Sequence, residues 1–403
     1  MGTRMQRSSL SRVFRNPPEE ECSDDTSLYC GGLFYRAQSF LHLVGFGHRD
    51  IVRQSIAVLA IAWLPLVILT ALFHFDELPQ LLKDYIVYSR IAIAVPVLLI
   101  GQYMMEERYR AIVTHVRQAG LLEPKDLAKL NGELGALRRL RDSPLPELII
   151  VVLIFVNLAV IWKSKFAIAP GWAAYRIDDA VRLTLTGWYY GLISTALYQF
   201  LIGLNLWRWV LWTFLLSKFS RMDLKLYAAH PDLHGGLGFL GLSPIGFAPI
   251  AFAISTAIGG TWRYEILYYH ARLANYQLPA IFLFALIFIA ALLPLCFFYP
   301  KLSLLHRKGI LEYGILGQTR IADFHKKWVS QDEKKSASDA SELMDITLSY
   351  ENIRRTWPFP VDKSTLIGLA LSGLVPLFPV ILAEIPFSVI LKGLLDAFKS
   401  VPM

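Results

Sequence analysis

Two histidines and an aspartate lie close together in one loop of the sequence, at His230, Asp232 and His234. Two imidazoles and a carboxylate form a ligand set that suits zinc, iron or manganese. Pro231 prevents a regular helix through the loop, so the geometry of helical two-histidine sites cannot be assumed. These residue types predict a metal site at His230, Asp232 and His234, which is one of several hypotheses for the loop.

Four glycines follow this loop, at Gly235, Gly236, Gly238 and Gly241. The last three match the pattern GxGxxG, but that pattern binds dinucleotides only after a strand of a βαβ unit, and here it leads into an apolar segment. Glycine also permits tight turns and close helix approach. In addition, glycine-rich backbone can line a polar cavity at a membrane edge. A metal site, a structural turn and an ion gate therefore remain as hypotheses.

Charged side chains in or beside apolar segments form a second group of candidates, because charge is costly in a bilayer and marks ion or proton pathways. Arg90 and Arg208 lie inside apolar blocks, and Glu384 borders the last one. We expect Arg90 and Glu384 near the same membrane face, where they can form an ion pair. Lys392 and Asp396 lie on the polar stripe of an amphipathic C-terminal segment. These five residues are predicted pore or gate residues, with interfacial anchoring as the alternative.

Catalytic motifs are absent from the sequence, which contains neither a GxSxG nucleophile motif nor a GxxxxGK[ST] phosphate loop. Adjacent carboxylates such as Glu106 and Glu107 point in different directions on a helix, which makes them poor acid–base pairs. The three cysteines are too few for a disulfide framework, and we expect unpaired thiols. The sequence predicts no catalytic residue and identifies no cofactor. It favours a protein that is not an enzyme and leaves an enzyme as an alternative.

Seven apolar blocks of near membrane-spanning length organise the chain. Charged residues make up 18% of its 403 residues, whereas soluble domains carry about 25%. A spanning helix needs roughly 20 apolar residues. The predicted spans are 56–75, 85–105, 148–162, 188–216, 244–262, 279–299 and 366–383. The fold class is therefore predicted to be all-α, a polytopic transmembrane helix bundle with a cytoplasmic helical layer.

Lysine and arginine are concentrated in alternate connections, and this bias predicts the orientation of the chain. With the N-terminus in the cytoplasm, the inner segments hold 29 of these residues and the outer segments hold 9. The bias also accounts for the net charge of +8 without a nucleic-acid partner. Pro376 and Pro379 leave open whether the last span crosses fully or re-enters.

The spans and connections divide the chain into segments with distinct predicted environments. In order, these are a cytoplasmic N-terminal segment (1–55), a transmembrane hairpin (56–105), cytoplasmic amphipathic helices (106–147), transmembrane helices with a glycine-rich cytoplasmic-side loop (148–299, loop 230–243), a cytoplasmic helical segment (300–363), and a last membrane segment with an amphipathic C-terminal helix (364–403). Within 300–363, apolar residues recur at spacings of three and four, which predicts a seam that docks on another helix of the same chain. That seam consists of Leu343, Ile346, Tyr350, Ile353 and Trp357.

Several landmarks resemble a group of bacterial polytopic inner-membrane proteins for which no activity is known. They are Gly32-Leu-Phe-Tyr-Arg36, the HPDxxGGLGFLG loop that begins at His230, Gly309-Ile-Leu-Glu-Tyr-Gly314, Lys327-Trp328, and Ile385-Pro-Phe with the amphipathic tail. The resemblance covers nearly the whole chain. It implies a multi-pass protein of the bacterial inner membrane, and it implies no activity and no residue roles.

Three functional hypotheses follow from these patterns. The leading one is an oligomeric ion channel or small-solute transporter, because charges, proline-broken spans and a glycine-rich loop lie at the membrane. Its partners would be the lipid bilayer, further copies of the chain, and an ion or small solute, but not nucleic acid. The alternatives are a membrane-embedded metal-binding protein or enzyme centred on His230, Asp232 and His234, and a non-catalytic scaffold that docks a cytoplasmic partner.

Overall fold

A computed structural model describes residues 27–41, 43, 48–166, 171–177, 180–328 and 337–385. Most of these residues are helical, and the strands among them form one short hairpin. Six described helices are long and apolar enough to cross a membrane, and a seventh candidate is a pair of helices bent by 42°. The predicted all-α transmembrane bundle is confirmed, and the chain is a multi-pass membrane protein by the length and composition of its helices.

The helices run up and down the bundle and are joined mainly by short connections. They are α1 (Gly32–Phe40), α2 (His48–Phe73), α3 (Leu78–Lys83), α4 (Tyr85–Gln118), α5 (Pro124–Asp142), α6 (Leu145–Phe166), α7 (Leu185–Phe219), α8 (Ala248–Tyr269), α9 (Gln277–Cys296), α10 (Tyr299–Trp328), α11 (Ala337–Arg355), α12 (Lys363–Leu374) and α13 (Phe378–Glu384). Strands β1 (Ala174–Ile177) and β2 (Ala180–Leu183) precede α7. The helical path includes π-helical stretches at Tyr88–Ala94 in α4 and Tyr190–Thr195 in α7, and 3₁₀ segments at Phe75–Glu77, Gly238–Phe247, Leu273–Tyr276 and Val375–Leu377.

Each predicted span corresponds to a helix, but several helices extend beyond their apolar block. The helix that contains span 85–105 continues to Gln118, and the one that contains span 148–162 begins at Leu145. The last block forms a candidate span at Lys363–Glu384, with a 3₁₀ turn between α12 and α13. Helical hydrogen bonds do not require apolar side chains, so these helices continue into more polar sequence.

The bundle has a central group of helices and an outer group. In the apolar part of α4, α7 and α8, 50–56% of the residues are buried. In the apolar part of α2, α9 and the α12–α13 segment, 22–28% of the residues are buried. The outer helices expose large apolar side chains, such as Ile281, Phe282 and Ile289 of α9. Lipid does not drive such side chains inwards, so an exposed apolar surface is expected for helices that face the bilayer.

One end of the bundle carries the β-hairpin, and we call it the hairpin end. β1 and β2 pair antiparallel, with Ala174 opposite Leu183. Trp172 is buried beside the hairpin and donates a hydrogen bond from Nε1 to Oδ2 of Asp84 at 3.2 Å. The side chain of Thr184 accepts the backbone N–H of Gly187 and caps the start of α7. This hairpin was not predicted from the sequence, because it lies in a short connection between two apolar blocks.

Gly187 is a position where the hairpin end leaves no room for a side chain. A Cβ atom added there would lie 2.0 Å from the carbonyl oxygen of Ala173, which is backbone and cannot rotate away. We expect Gly187→Ala to lower the free energy of unfolding by about 1–3 kcal/mol, as in other overpacked sites. Thermal unfolding of the purified protein in detergent measures the loss.

The matched control for Gly187 is Gly132 in α5, where an added Cβ would meet nothing within 4 Å. Alanine is favoured over glycine inside a helix by roughly 0.5–1 kcal/mol, so Gly132→Ala is expected to raise the melting temperature. An equal loss of stability at the two positions would contradict the packing assigned to Gly187.

The opposite end carries α5, α10 and α11, and we call it the layer end. Leu130, Leu134 and Leu137 of α5 are buried in the main apolar core, so α5 packs under the bundle. Leu343, Ile346, Tyr350 and Ile353 of the predicted seam lie on α11, which packs on α10 within the same chain, so internal docking is confirmed for these four residues. Trp357 lies beyond the end of α11 and is exposed. Ile353 is fully buried, and its Cγ2 would lie 3.3 Å from a Cβ added at Gly309.

The prediction about the cysteines is corrected by the structure, and parts of two other predicted segments lie outside the described residues. Cys30 carries a disulfide bond, contrary to the expectation of unpaired thiols, whereas Cys296 is a free, exposed thiol. The number of cysteines excluded a framework of several bridges but not a single bridge. The polar sequence at 330–342 predicts a linker or exposed loop, but residues 337–342 belong to α11. Residues 330–336 and the predicted amphipathic C-terminal helix lie outside the described residues.

Candidate functional site

The loop between α7 and α8 is organised around the carboxylate of Asp232. Its Oδ1 accepts the backbone N–H groups of His234 and Gly236 at 2.9 and 3.1 Å, and its Oδ2 accepts that of Gly238 at 2.8 Å. Nδ1 of His230 lies 2.7 Å from Oδ1 of Asp232. An aspartate that binds the backbone ahead of it is a common way to fix a turn.

The same loop connects the bundle to the layer end. Leu233, Gly235 and Gly236 have positive φ angles of 59°, 66° and 97°, and glycine adopts this region at little cost. Nδ1 of His234 lies 3.0 Å from the carbonyl oxygen of Trp357, and the Trp357 N–H donates to the carbonyl of Leu233. The loop therefore holds the chain that follows α11 against the bundle.

The geometry of this loop favours the structural turn over the metal site. Within the described ranges, no three His, Cys, Asp or Glu side chains are grouped so that they could hold a metal ion. Both carboxylate oxygens of Asp232 are occupied by backbone N–H groups, and His234 faces a carbonyl. Burial raises the pKa of Asp232, but the backbone N–H groups and His230 outweigh it and hold that pKa below its usual value.

Arg90 lies at the hairpin end, within the π-helical stretch of α4. Its Nη1 donates to the hydroxyl of Tyr190 at 3.4 Å and its Nη2 donates to that of Thr261 at 3.1 Å. Tyr190 begins the π-helical stretch of α7, and the two stretches contact each other. π-helical stretches are frequent at functional positions, and here they carry an arginine and its hydroxyl partner.

Glu384 also lies at the hairpin end, but it does not pair with Arg90 as predicted. Its Oε2 accepts the backbone N–H of Leu273, because the connection after α8 passes directly beside the end of α13. The predicted ion pair is therefore wrong for the described conformation. Lys392 and Asp396, the other two predicted pore residues, lie outside the described residues.

Arg208 is the most deeply buried of the three predicted pore residues that the structure describes. It lies in α7, its exposed fraction is 6%, and its Nη1 has no hydrogen-bond partner. The guanidinium carbon lies 4.6 Å from the centre of the Tyr29 ring, a cation–π distance. Glu106 and Glu147 attract it electrostatically. Arg208 therefore lies inside the bundle among charged groups that do not fully satisfy it.

Glu106 is a buried carboxylate of α4 that binds the N-terminal part of the chain. Its Oε2 accepts the backbone N–H groups of Leu28 and Tyr29 at 2.9 and 3.1 Å, and its Oε1 accepts from Nε of Arg110 at 2.7 Å. Hydrogen bonds to an ionised carboxylate are among the stronger ones in proteins. Glu106 therefore holds a segment that is 77 residues away in sequence.

Glu147 performs the same role two helices further on, in the first turn of α6. Its Oε2 accepts the backbone N–H of Phe34 at 2.9 Å, and the N–H of Leu33 is also hydrogen-bonded to this carboxyl. These donors lie in the first turn of α1, where unpaired N–H groups and the helix dipole favour a negative charge. Arg141 completes the attachment by donating to the carbonyl oxygen of Ser27.

We call residues 27–34 the N-terminal strap, because they cross the layer end between Glu106 and Glu147. Ser27, Leu28 and Tyr29 are buried, and the Tyr29 hydroxyl is hydrogen-bonded to Gln38 and Gln54. The strap, Glu106 and Glu147 are not among the site residues predicted from the sequence. The sequence signal that could have found both glutamates is their position, because each carboxylate lies at the edge of an apolar block.

Several buried polar atoms near the strap have no partner. They include Nε2 and Oε1 of Gln102, Oδ1 of Asn205 and the hydroxyl of Tyr109. Gln102 lies one turn before Glu106 in α4, and Asn205 lies one turn before Arg208 in α7. Buried polar atoms are normally hydrogen-bonded, and leaving one unpaired costs about 1–3 kcal/mol. We define the buried polar cluster as Gln102, Glu106, Glu147, Asn205 and Arg208.

No protein-family model, curated protein or solved structure matches this chain. Two groups of residues remain as candidate sites on their geometry. The loop at His230–His234 satisfies its own polar groups and joins two parts of the fold. The buried polar cluster has a charge and several polar atoms that the protein does not satisfy, and this makes it the stronger candidate for binding.

Proposed function

We propose that the chain is an ion channel or small-solute transporter whose path passes through the buried polar cluster. The observation that supports this most directly is Arg208, a buried arginine in a candidate membrane span with an unpartnered Nη1. Charged residues inside membrane bundles are costly, and they mark ion, proton or substrate pathways. A purely structural arginine would be expected to have a partner for each buried N–H group.

The proposed path lies within one chain, because the cluster is enclosed by helices of the same bundle. From Arg208 it runs past Asn205 and Gln102 towards the hairpin end, where Arg90 acts electrostatically on the buried Tyr198. The unpartnered amide atoms of Gln102 and Asn205 provide donors and acceptors that can replace part of a solute's hydration shell. The predicted homo-oligomer is therefore not needed to form the path.

In the described arrangement the strap closes the layer end of this path. The ring of Tyr29 covers the Arg208 guanidinium, and backbone N–H groups of the strap occupy Glu106 and Glu147. Transport would require the strap to move, since no solute can reach Arg208 past the buried Tyr29. The charge bias of the connections supports an orientation in a bacterial inner membrane with the layer end in the cytoplasm.

Ion flux into liposomes that carry the purified protein tests this proposal. A panel of cations and anions would be measured at pH 6 and pH 8, for the wild type, Arg208→Ala and the matched control Arg221→Ala, whose side chain is exposed at the end of α7. We expect flux above that of empty liposomes, a change of about tenfold or more in Arg208→Ala, which corresponds to about 1.4 kcal/mol, and no such change in Arg221→Ala.

Folding must be shown for each variant by size-exclusion chromatography and a melting curve. The proposal would be contradicted if the folded, inserted wild type carried no ion at either pH and a variant that releases the strap carried none either. Flux that is unchanged in Arg208→Ala would place the path elsewhere in the molecule.

A further inference from the structure

We infer that the buried polar cluster binds a small anion, such as a halide or a short carboxylate, with Arg208 as the central group. This inference rests on the proposed function, because it names the class of solute that the path accepts. It is argued from the charges around Arg208, from the unpartnered atoms beside it, and from the position of Tyr29.

The negative charges near Arg208 are already engaged by other donors. Glu106 accepts two backbone N–H groups and the guanidinium of Arg110, and Glu147 accepts N–H groups of α1. Arg141 is paired with Asp142 at 2.8 Å. A cation that entered the cluster would find both carboxylates occupied and a positive charge between them.

Arg208 is the cation of this group that keeps an unpartnered N–H group. Arg36 adds a further positive charge that acts on Glu147. Opposite charges attract more strongly where water is excluded than in bulk water. The balance of charge and unused hydrogen-bonding capacity therefore favours an anion over a cation.

Unpartnered donors lie on both α4 and α7. They are Nε2 of Gln102 on α4 and Nη1 of Arg208 on α7. The unpartnered Oε1 of Gln102 and Oδ1 of Asn205 are acceptors, and the amide nitrogen of Asn205 is already bound to the carbonyl of Leu201. An anion accepts hydrogen bonds and donates none, so the charged donor of Arg208 and the amide donor of Gln102 are the groups that would bind it.

Tyr29 determines access to this site. Its ring lies over the guanidinium of Arg208, and its hydroxyl is held by Gln38 and Gln54. The strap must leave before an anion can replace the ring. The apparent dissociation constant should therefore equal the intrinsic one divided by the fraction of molecules in which the strap is open, and removing the ring should lower it.

The melting temperature of the full-length protein in detergent tests the inference without any flux measurement. Sodium salts of chloride, nitrate and acetate would be titrated at constant ionic strength against gluconate, and sodium, potassium and caesium would be compared as their gluconates. We expect a saturable rise with at least one small anion and no difference among the cations, because a ligand that binds only the folded state stabilises it.

Three variants locate the anion, and a fourth tests how Tyr29 controls its access. Arg208→Gln should abolish the saturable rise, Arg208→Lys should keep it because the charge is retained, and Arg221→Gln should leave it unchanged. Tyr29→Ala should lower the half-saturating anion concentration by about threefold or more, since more molecules are then open. The wild-type response tests anion binding whether or not a variant folds, and each variant must show a cooperative melting transition before its response is used to locate the anion.

The outcomes separate this inference from the proposed function. A saturable anion response that depends on Arg208, in a protein that carries no ion, supports the anion site and removes the transport proposal. Flux of cations together with the absence of any anion response in the wild type overturns the anion site and leaves transport in place. An anion response that persists in Arg208→Gln also overturns it.

Discussion

Replacing Glu106 with alanine is expected to lower the free energy of unfolding by about 3 kcal/mol or more and to release the strap. The carboxylate is buried and accepts from two backbone N–H groups and from Arg110. Removing it leaves those N–H groups without their partner, and each buried unsatisfied group costs about 1–3 kcal/mol. Removing one member of a buried charge pair is also strongly destabilising.

Unfolding with sodium dodecyl sulfate in mixed micelles measures the loss in Glu106→Ala. The matched control is Glu107→Ala, because Glu107 is the next residue and its side chain is exposed. Glu106→Gln keeps one acceptor oxygen but not the charge, so its loss should be intermediate. A Glu106→Ala variant as stable as Glu107→Ala would show that the strap is not held by Glu106.

The release of the strap has a separate readout in limited proteolysis. Arg36 lies in α1 just beyond the strap, and trypsin cleaves after arginine only where the chain can open locally. We expect cleavage at Arg36 to be faster in Glu106→Ala than in Glu107→Ala. If the proposed path is correct, ion flux in Glu106→Ala should rise as well, because the closed layer end is then open.

Replacing Asp232 with alanine is expected to lower the free energy of unfolding by about 2–3 kcal/mol, since it leaves three backbone N–H groups of one loop without an acceptor. Asp232→Asn keeps one acceptor oxygen and should lose less. The exposed Asp223, in the same connection between α7 and α8, provides the control variant Asp223→Ala. Equal melting temperatures for the two alanine variants would contradict the turn assigned to Asp232.

The stabilisation by Asp232 should depend on pH in a defined direction. Its pKa is lower in the folded protein than its usual value, even though burial acts to raise it. Such a group stabilises the folded state above its unfolded pKa of about 3.9, and the contribution is lost as the pH falls through the folded value. The difference in melting temperature between the wild type and Asp232→Asn should therefore be constant near neutral pH and shrink below about pH 4.

The loop at His230–His234 shows how the same residue types can fit two structures. Two histidines and an aspartate suit a metal ion by their chemistry, and they also suit a turn in which aspartate binds the backbone. The choice depends on where the carboxylate of Asp232 points. Because that direction follows from the positive φ angles of the residues around it and from contact with Trp357, local sequence left the alternatives open.

The helices that cross the bundle could be predicted from the sequence alone. Apolar length is a property of consecutive residues, and a bilayer requires that length of any spanning helix. The docking of Ile353 on α10 was also predictable, since a repeat of three and four residues places apolar side chains on one face. The ends of α4 and α6 could not be predicted from the sequence, because backbone hydrogen bonding continues past the last apolar residue.

Only the tertiary structure identified the buried polar cluster and its strap. Arg208 was recognisable as a charge in an apolar block, but its surroundings depend on contacts between residues far apart in the chain. Leu28 meets Glu106 across 78 residues, and Phe34 meets Glu147 across 113. Such contacts leave no periodic pattern, because they depend on how separate helices pack against one another, whereas the spans themselves follow from the sequence because they depend on neighbouring residues and on the bilayer.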